Sequence, residues 1–187
     1  LQGISDSKDS DLSSYRADCK AGFDLVHIDP WKVFSDLDEI VQETANWIKF
    51  CNEINPKCGY EVGTEEAICR YTSDELDYFL TNLKQRLGDT WEKVKYAAIQ
   101  TGTRIIGTEN VGTFDKDRCR RMISVCEKHN LLSKEHNGDY LSSRQIKERF
   151  ECGLSGINIA PEFGVLETRT ILNEIEMFYP FCFNKLY

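Results

Sequence analysis

Apolar positions along the chain follow two rhythms that take turns. Short runs such as Phe23-Asp24-Leu25-Val26-His27-Ile28 read as strands, and each is followed by a longer stretch with apolar residues at helical spacing. The first such helix spans residues 37–55, where Leu37, Ile40, Val41, Thr44, Trp47, Ile48 and Cys51 form one stripe. Tyr60-Glu61-Val62 is a second, short strand. Thr72 or Ser73, with Asp74 and Glu75 behind it, opens the next helix, whose buried face is Leu76, Phe79, Leu80, Leu83 and Leu87. Strands over 96–100, 131–134 and 157–159 then alternate with helices over 115–129, 142–152 and 163–178. Gly22, Gly59 and Gly156 precede strands, as expected just past helix C-termini. One strand plus one helix recurs every ~25 to 37 residues, which predicts an α/β fold with a parallel sheet of βα units.

An open doubly wound sheet and a βα barrel both fit that alternation, and the polar residues separate them. They gather just past strand C-terminal ends: Asp29, Glu61 with Glu65, Gln100 to Arg104, His136 with Asp139, and Asn158. A barrel brings all such ends to one mouth, whereas an open sheet gathers ligands only at its switch point. The reading is therefore a (βα)8 TIM barrel. Five strands do not close an eight-stranded barrel, which typically takes ~250 residues. Residues 1–187 are thus expected to form a single, partial TIM-barrel domain holding strands four to eight. About three N-terminal βα units are expected to lie outside the chain, with residues 1–22 holding the tail of the last. A start at Leu1 rather than Met agrees with this.

Composition narrows the partners. The 31 Asp+Glu outnumber the 23 Lys+Arg, for a net charge of -8, and no basic run is present. Nucleic-acid grooves and anionic membrane surfaces need clustered cations, so neither is expected as a partner. No stretch approaches the ~20 apolar residues of a membrane span, and no signal-peptide pattern opens the chain. Eight cysteines without a CxxC pair, most of them inside apolar segments, read as reduced core residues of a cytoplasmic protein.

Four motifs carry the chemistry: Gly22-Phe23-Asp24-Leu25-Val26-His27-Ile28-Asp29, Tyr60-Glu61-Val62-Gly63-Thr64-Glu65, Glu135-His136-Asn137-Gly138-Asp139-Tyr140 and Gly156-Ile157-Asn158-Ile159. In that order and spacing, over residues 12–175, the chain resembles the subunit of class II tagatose-bisphosphate aldolase usually called non-catalytic. More distantly it is similar to the zinc-dependent class II fructose-bisphosphate aldolases. The resemblance implies a barrel acting on a ketose phosphate, with a divalent metal, zinc first, as Lewis acid for the ketone. By the same resemblance Glu61 and His136 fall at metal-ligand positions, Asp29 at a proton-transfer carboxylate, and Asn158 at an asparagine that contacts substrate. Glu65 joins Asp29 as a catalytic carboxylate, and Gln100, Arg104, Gly138 and Asp139 join Asn158 in binding substrate. The implied partners are a small sugar phosphate and other subunits, as a homo-oligomer or with an aldolase chain.

The chain departs from that pattern twice. Gln100-Thr101-Gly102-Thr103-Arg104 supplies no histidine where a further ligand is expected, and Asp139 stands in a loop that is rich in Gly and Ser in the aldolases. A carboxylate there repels a phosphate, with Arg104 and Arg144 as counterweights. Three readings follow: an aldolase-type lyase, a catalytically silent scaffold for a partner aldolase, or a sugar epimerase or isomerase using Asp29 and Glu61.

Several residues also have structural readings. Asp29 precedes Pro30 and could shape a turn, and Glu61 could pair with Arg104 or Lys134. His27 reads as a packing histidine, and His129 as a helix C-terminal contact. Trp31 and Tyr140 stand between pocket wall and core, Asp139 is placed to orient His136, and the 178–183 run is expected under the barrel or at a subunit contact.

Overall fold

In the computed structural model, which describes residues 2–3 and 12–179, the chain alternates as expected. The order is β1 (Gln2–Gly3), α1 (Ser13–Ala21), β2 (Leu25–Ile28), α2 (Leu37–Ile54), β3 (Gly59–Val62), α3 (Ser73–Leu87) and β4 (Val94–Ile99). It continues with β5 (Ile105–Ile106), β6 (Glu109–Asn110), α4 (Lys116–Lys128), β7 (Leu132–Glu135), α5 (Ser143–Glu151), β8 (Gly156–Ile157) and α6 (Pro161–Phe178). Side chains satisfy the first N–H groups of four helices: Asp36 caps α2, Asp115 caps α4, and Thr72 with Glu75 and Ser142 with Gln145 form capping boxes on α3 and α5.

The main sheet has six strands in the order β1-β2-β3-β4-β7-β8, every neighbouring pair parallel. Spatial order therefore follows chain order with no reversal, unlike a doubly wound sheet. Right-handed crossovers then place the connecting helices on one face, where α1 packs on α2, α2 on α3, and α3 on α4. The core lies between this helix layer and the sheet, with Val26, Ile28, Tyr60, Val62, Ala97 and Ile99 meeting Ile40, Ile48, Phe79, Leu80 and Met122.

Three expectations change. Residues 1–22 hold a strand and a helix rather than only the tail of a unit, because β1 pairs in register with β2; two residues are too short for a periodic signal. A second sheet, the antiparallel hairpin β5–β6, follows β4. Its tip, Gly107-Thr108, has Gly107 at φ 59°, so a glycine-led two-residue turn was its sequence signal. The hairpin's base closes where Gly102 and Gly112 cross: a Cβ on Gly112 would lie 2.0 Å from the Gly102 carbonyl oxygen, so only glycines pass. Thirdly, Phe178 and Tyr179 are exposed, so of the two places expected for that run, under the barrel or at a subunit contact, they do not take the first, and residues 180–183 lie outside the described residues.

The seven cysteines among the described residues are free thiols, and five of them are buried, as expected of core residues. No described helix is long and apolar enough to cross a membrane.

One buried ion pair fixes the far side of β7. Glu135 points to the helix face and accepts from Arg149 Nε at 2.6 Å, both side chains being 1% exposed. The other carboxylate oxygen accepts from the Thr101 backbone N–H at 3.2 Å and from its hydroxyl, tying the end of β4 to β7. Phe114 stacks 4.4 Å from the guanidinium. Burial pushes the Glu135 carboxyl up, against the pull of Arg149 and Thr101. Arg149→Met should destabilise the fold by about 3–5 kcal/mol in denaturant melts, because it strands a buried carboxylate. Combining it with Glu135→Leu should recover a large part of that loss, and a double variant no better than Arg149→Met would refute the pairing argument.

Candidate functional site

Parallel register decides which side chains meet on the face of the sheet away from the helices. His27 of β2 lies opposite Glu61 of β3, and Glu61 opposite Tyr96 of β4. The register of β3 on β4 slips by one residue at Lys95, and this offset turns Tyr96 and Ala98 toward Glu61. Lys134 of β7 lies opposite Ala98. The small Ala98 side chain leaves a path over β4, and Lys134 Nζ crosses it to reach Glu61 Oε2 at 2.6 Å. Its ammonium also stands 5.4 Å from the centre of the Tyr96 ring.

Just past β7, His136 brings Nε2 to 2.5 Å from Glu61 Oε1. Its ring lies 4.7 Å from that of His27, whose Nε2 meets the Gly63 carbonyl at 2.9 Å. Gly63 holds φ at 104° against Ala98, a conformation that favours glycine and aims that carbonyl. His27, Glu61 and His136 each offer one ligand atom, all within 4.8 Å of one another. Two imidazoles and a carboxylate are a donor set suited to a divalent metal such as zinc. The residues present fit such an ion, provided that Glu61 loosens its hold on Lys134 and His136.

Glu61 is fully buried. Burial drives its carboxyl up, but the His136 hydrogen bond and the charges of His27, His136 and Lys134 outweigh it and bring it down to about 2. Burial lowers His27, and Glu61 pulls the other way. Asp29 shows the reverse of Glu61: burial raises its carboxyl above the ordinary value, opposed by His27, Lys32 and the Thr64 hydroxyl. That hydroxyl donates to Oδ2 at 3.0 Å, Lys32 Nζ stands at 3.6 Å, and the buried Oδ1 has no hydrogen-bond partner.

The remaining sequence candidates divide. Glu65 reaches the cluster, 3.9 Å from His136 Nδ1, with the Asn137 amide donating to it at 3.0 Å. Gln100 does not: its amide oxygen accepts from the Tyr71 backbone and Arg118, and its amide nitrogen donates to the carbonyls of Cys69 and Thr64. All its hydrogen-bonding groups are thereby occupied, making it a structural tie. Asp139 does not orient His136; its Oδ1 accepts from the Ala160 and Glu162 N–H groups at 2.9 and 2.8 Å, anchoring the start of α6. The Gly138 N–H is likewise taken, by the Asn158 carbonyl, and the Asn158 N–H by that of Glu135. Arg104 is exposed and lines a cleft of about 610 Å³ with Glu66, Arg70, Thr103 and Thr113; it does not pair with Glu61, a role Lys134 fills. Arg144 pairs with Glu148 on the outer surface.

Trp31 packs in the core between Tyr71 and Phe79, while the Tyr140 N–H is held by Glu162. His129 caps the end of α4 and meets Asp77 at 2.7 Å. The two residues that strand reading undervalued are His27, taken for packing, and Lys134, taken as an alternative ion-pair partner. Their signal was shared: each is a polar side chain inside a strand, on the inner face set by alternation.

No protein-family model and no curated protein sequence matches the chain. Solved structures do. A probable tagatose 6 phosphate kinase from Sinorhizobium meliloti 1021 superposes with a TM-score of 0.71 at 16% identity, over 89% of this chain and 46% of that one. The fructose-bisphosphate aldolase of Campylobacter jejuni gives 0.62 at 14% identity, covering 95% and 53%. The YdjI aldolase of Escherichia coli K12 gives 0.59 at 17%, covering 86% and 52%. The chain thus spans about half the length of these structures, and at these identities what it shares with them is the fold.

The raised carboxyl of Asp29 has a thermodynamic consequence. A group whose folded value lies above its unfolded one destabilises the fold as it ionises, so stability is lost as pH rises from the ordinary carboxylate range through the raised value. Asp29→Asn should therefore melt above wild type at neutral pH, and the gap should close below about pH 4, where both side chains are uncharged. Equal melting at neutral pH would show that the buried charge carries no such cost.

Proposed function

We propose that this chain is part of a (βα)8 barrel, as one partial-barrel domain, and that it belongs to an aldolase-type lyase making or breaking a carbon–carbon bond in a ketose phosphate. The observation that carries the reading is the meeting of His27, Glu61 and His136 at the C-terminal ends of three strands, with ligand atoms within 4.8 Å. The likeness in fold to two aldolases supports it. A divalent cation, zinc by its donor set, would supply Lewis acidity toward a ketone oxygen.

The chain's own residues then have distinct tasks. Asp29, buried beside Thr64 with Oδ1 unpartnered, holds a proton more tightly than an ordinary carboxylate and is placed to exchange one with substrate. Glu65, half-buried beside His136 and Asn137, is a second proton-transfer group. The anionic end of the substrate lies on the cleft that Arg70 and Arg104 line. Asp139 already fills the N-terminus of α6, where a phosphate would otherwise find backbone N–H groups. Zinc as the ion, a cytoplasmic setting and assembly with like or aldolase subunits complete the reading. A second reading, a silent scaffold for a partner aldolase, is favoured by Gln100: it stands where a further ligand histidine is expected and is tied into the main chain.

His136→Ala should lower bound zinc and ketose-phosphate turnover together. Outer-shell changes at metal sites cost about 10- to 100-fold, so loss of a ligand should cost at least that. His129→Ala, which touches Asp77 instead, should alter neither. Elemental analysis and a cleavage assay on both variants decide the matter. Wild-type protein without metal or turnover passes the fold to the scaffold reading, and metal with proton exchange but no cleavage passes it to an isomerase.

A further inference from the structure

A carboxylate with no exposed surface needs positive charge beside it, and Glu61 is given a permanent one by a residue that is not itself a metal ligand. Lys134 starts on β7, two strands from β3, and its chain passes over Ala98 to end 2.6 Å from Glu61 Oε2. That oxygen belongs to the one carboxylate of the His27, Glu61 and His136 cluster. An ammonium and a divalent cation cannot share it cheaply, since like charges a few ångströms apart in a poorly solvated site repel strongly. Where it stands, the ammonium also lies over the face of the Tyr96 ring, 5.4 Å from its centre, a contact it can keep without Glu61.

We infer that Lys134 is a resident cation that competes with the divalent metal for Glu61. In metal-free protein its ammonium neutralises the carboxylate and keeps the cluster closed. On metal entry it gives up Oε2 and keeps its contact with the Tyr96 ring. Lys134 is thus a specificity-determining residue for metal affinity rather than a ligand, and it favours cations that bind carboxylate and imidazole tightly enough to displace an ammonium. The inference rests on the metal-site reading above.

Calorimetric titration of the full 187-residue chain with zinc, and separately with manganese, tests it. Lys134→Met removes the charge while keeping much of the stem, and should tighten metal binding by about 10- to 100-fold. Lys134→Arg, which keeps a cation, should stay near wild type. Metal-free Lys134→Met should also melt below wild type, because Glu61 has lost its counter-charge, and added zinc should restore it. Lys134→Gln, uncharged but able to donate a hydrogen bond, gives the same reading if the Met variant does not fold. Affinity unchanged in the uncharged variants overturns the inference and leaves the metal site standing. Weaker binding also overturns it, making Lys134 a positioning residue for Glu61. No binding by wild type or any variant removes the metal site and the inference together, whereas binding only by the uncharged variants supports both.

Discussion

The neutralisation of Glu61 organises this face of the molecule. A carboxylate taken out of water at the middle of a sheet is tolerated only if cations and hydrogen-bond donors converge on it. The convergence here is built from backbone: register places His27 opposite, the slip at Lys95 turns Ala98 the right way, and Ala98 is small enough for Lys134 to pass. His136 completes the set from the loop after β7. Moving any of these strands by one residue would send its side chain to the helix face.

Strand β7 carries buried charge on both faces. Lys134 looks toward Glu61, and its neighbour Glu135 looks the other way toward Arg149. The two pairs sit back to back, separated by the sheet, and each joins β7 to a different part of the chain: one to β3, the other to α5 and the end of β4. The loop that carries His136 therefore emerges from a strand held on both sides, which gives the site precision.

Much of this was legible in the order of residues because long helices advertise themselves. The stripes on α2 and α3 and the box opening α3 came through with nearly their observed bounds. The partners of Glu61, by contrast, depend on register, and register is a relation between distant segments that local periodicity does not carry. Gln100 shows the same limit: an amide at a strand end has the same appearance whether it faces a substrate or ties down Tyr71 and Cys69. Asp139 stood, by the resemblance, in a place expected to take the substrate's phosphate. What the pattern concealed was that the chain satisfies that place with its own carboxylate. Strand β1 and the hairpin β5–β6 are two residues per strand, too short for alternation to register.

The hairpin clasps the loop after β7 at its base and not at its tip. Asn110 donates its amide to the carbonyls of Asn137 and Asp139, Thr103 donates to that of His136, and the glycine crossing at 102 and 112 locks the two arms together. Gly107 and Thr108, at the far end, are exposed and take no part in the clasp. The tip is therefore a natural graft point. An epitope or a fluorescent label inserted there would ride on the mouth of the sheet and report on whatever enters, while the fastening beneath it stayed shut.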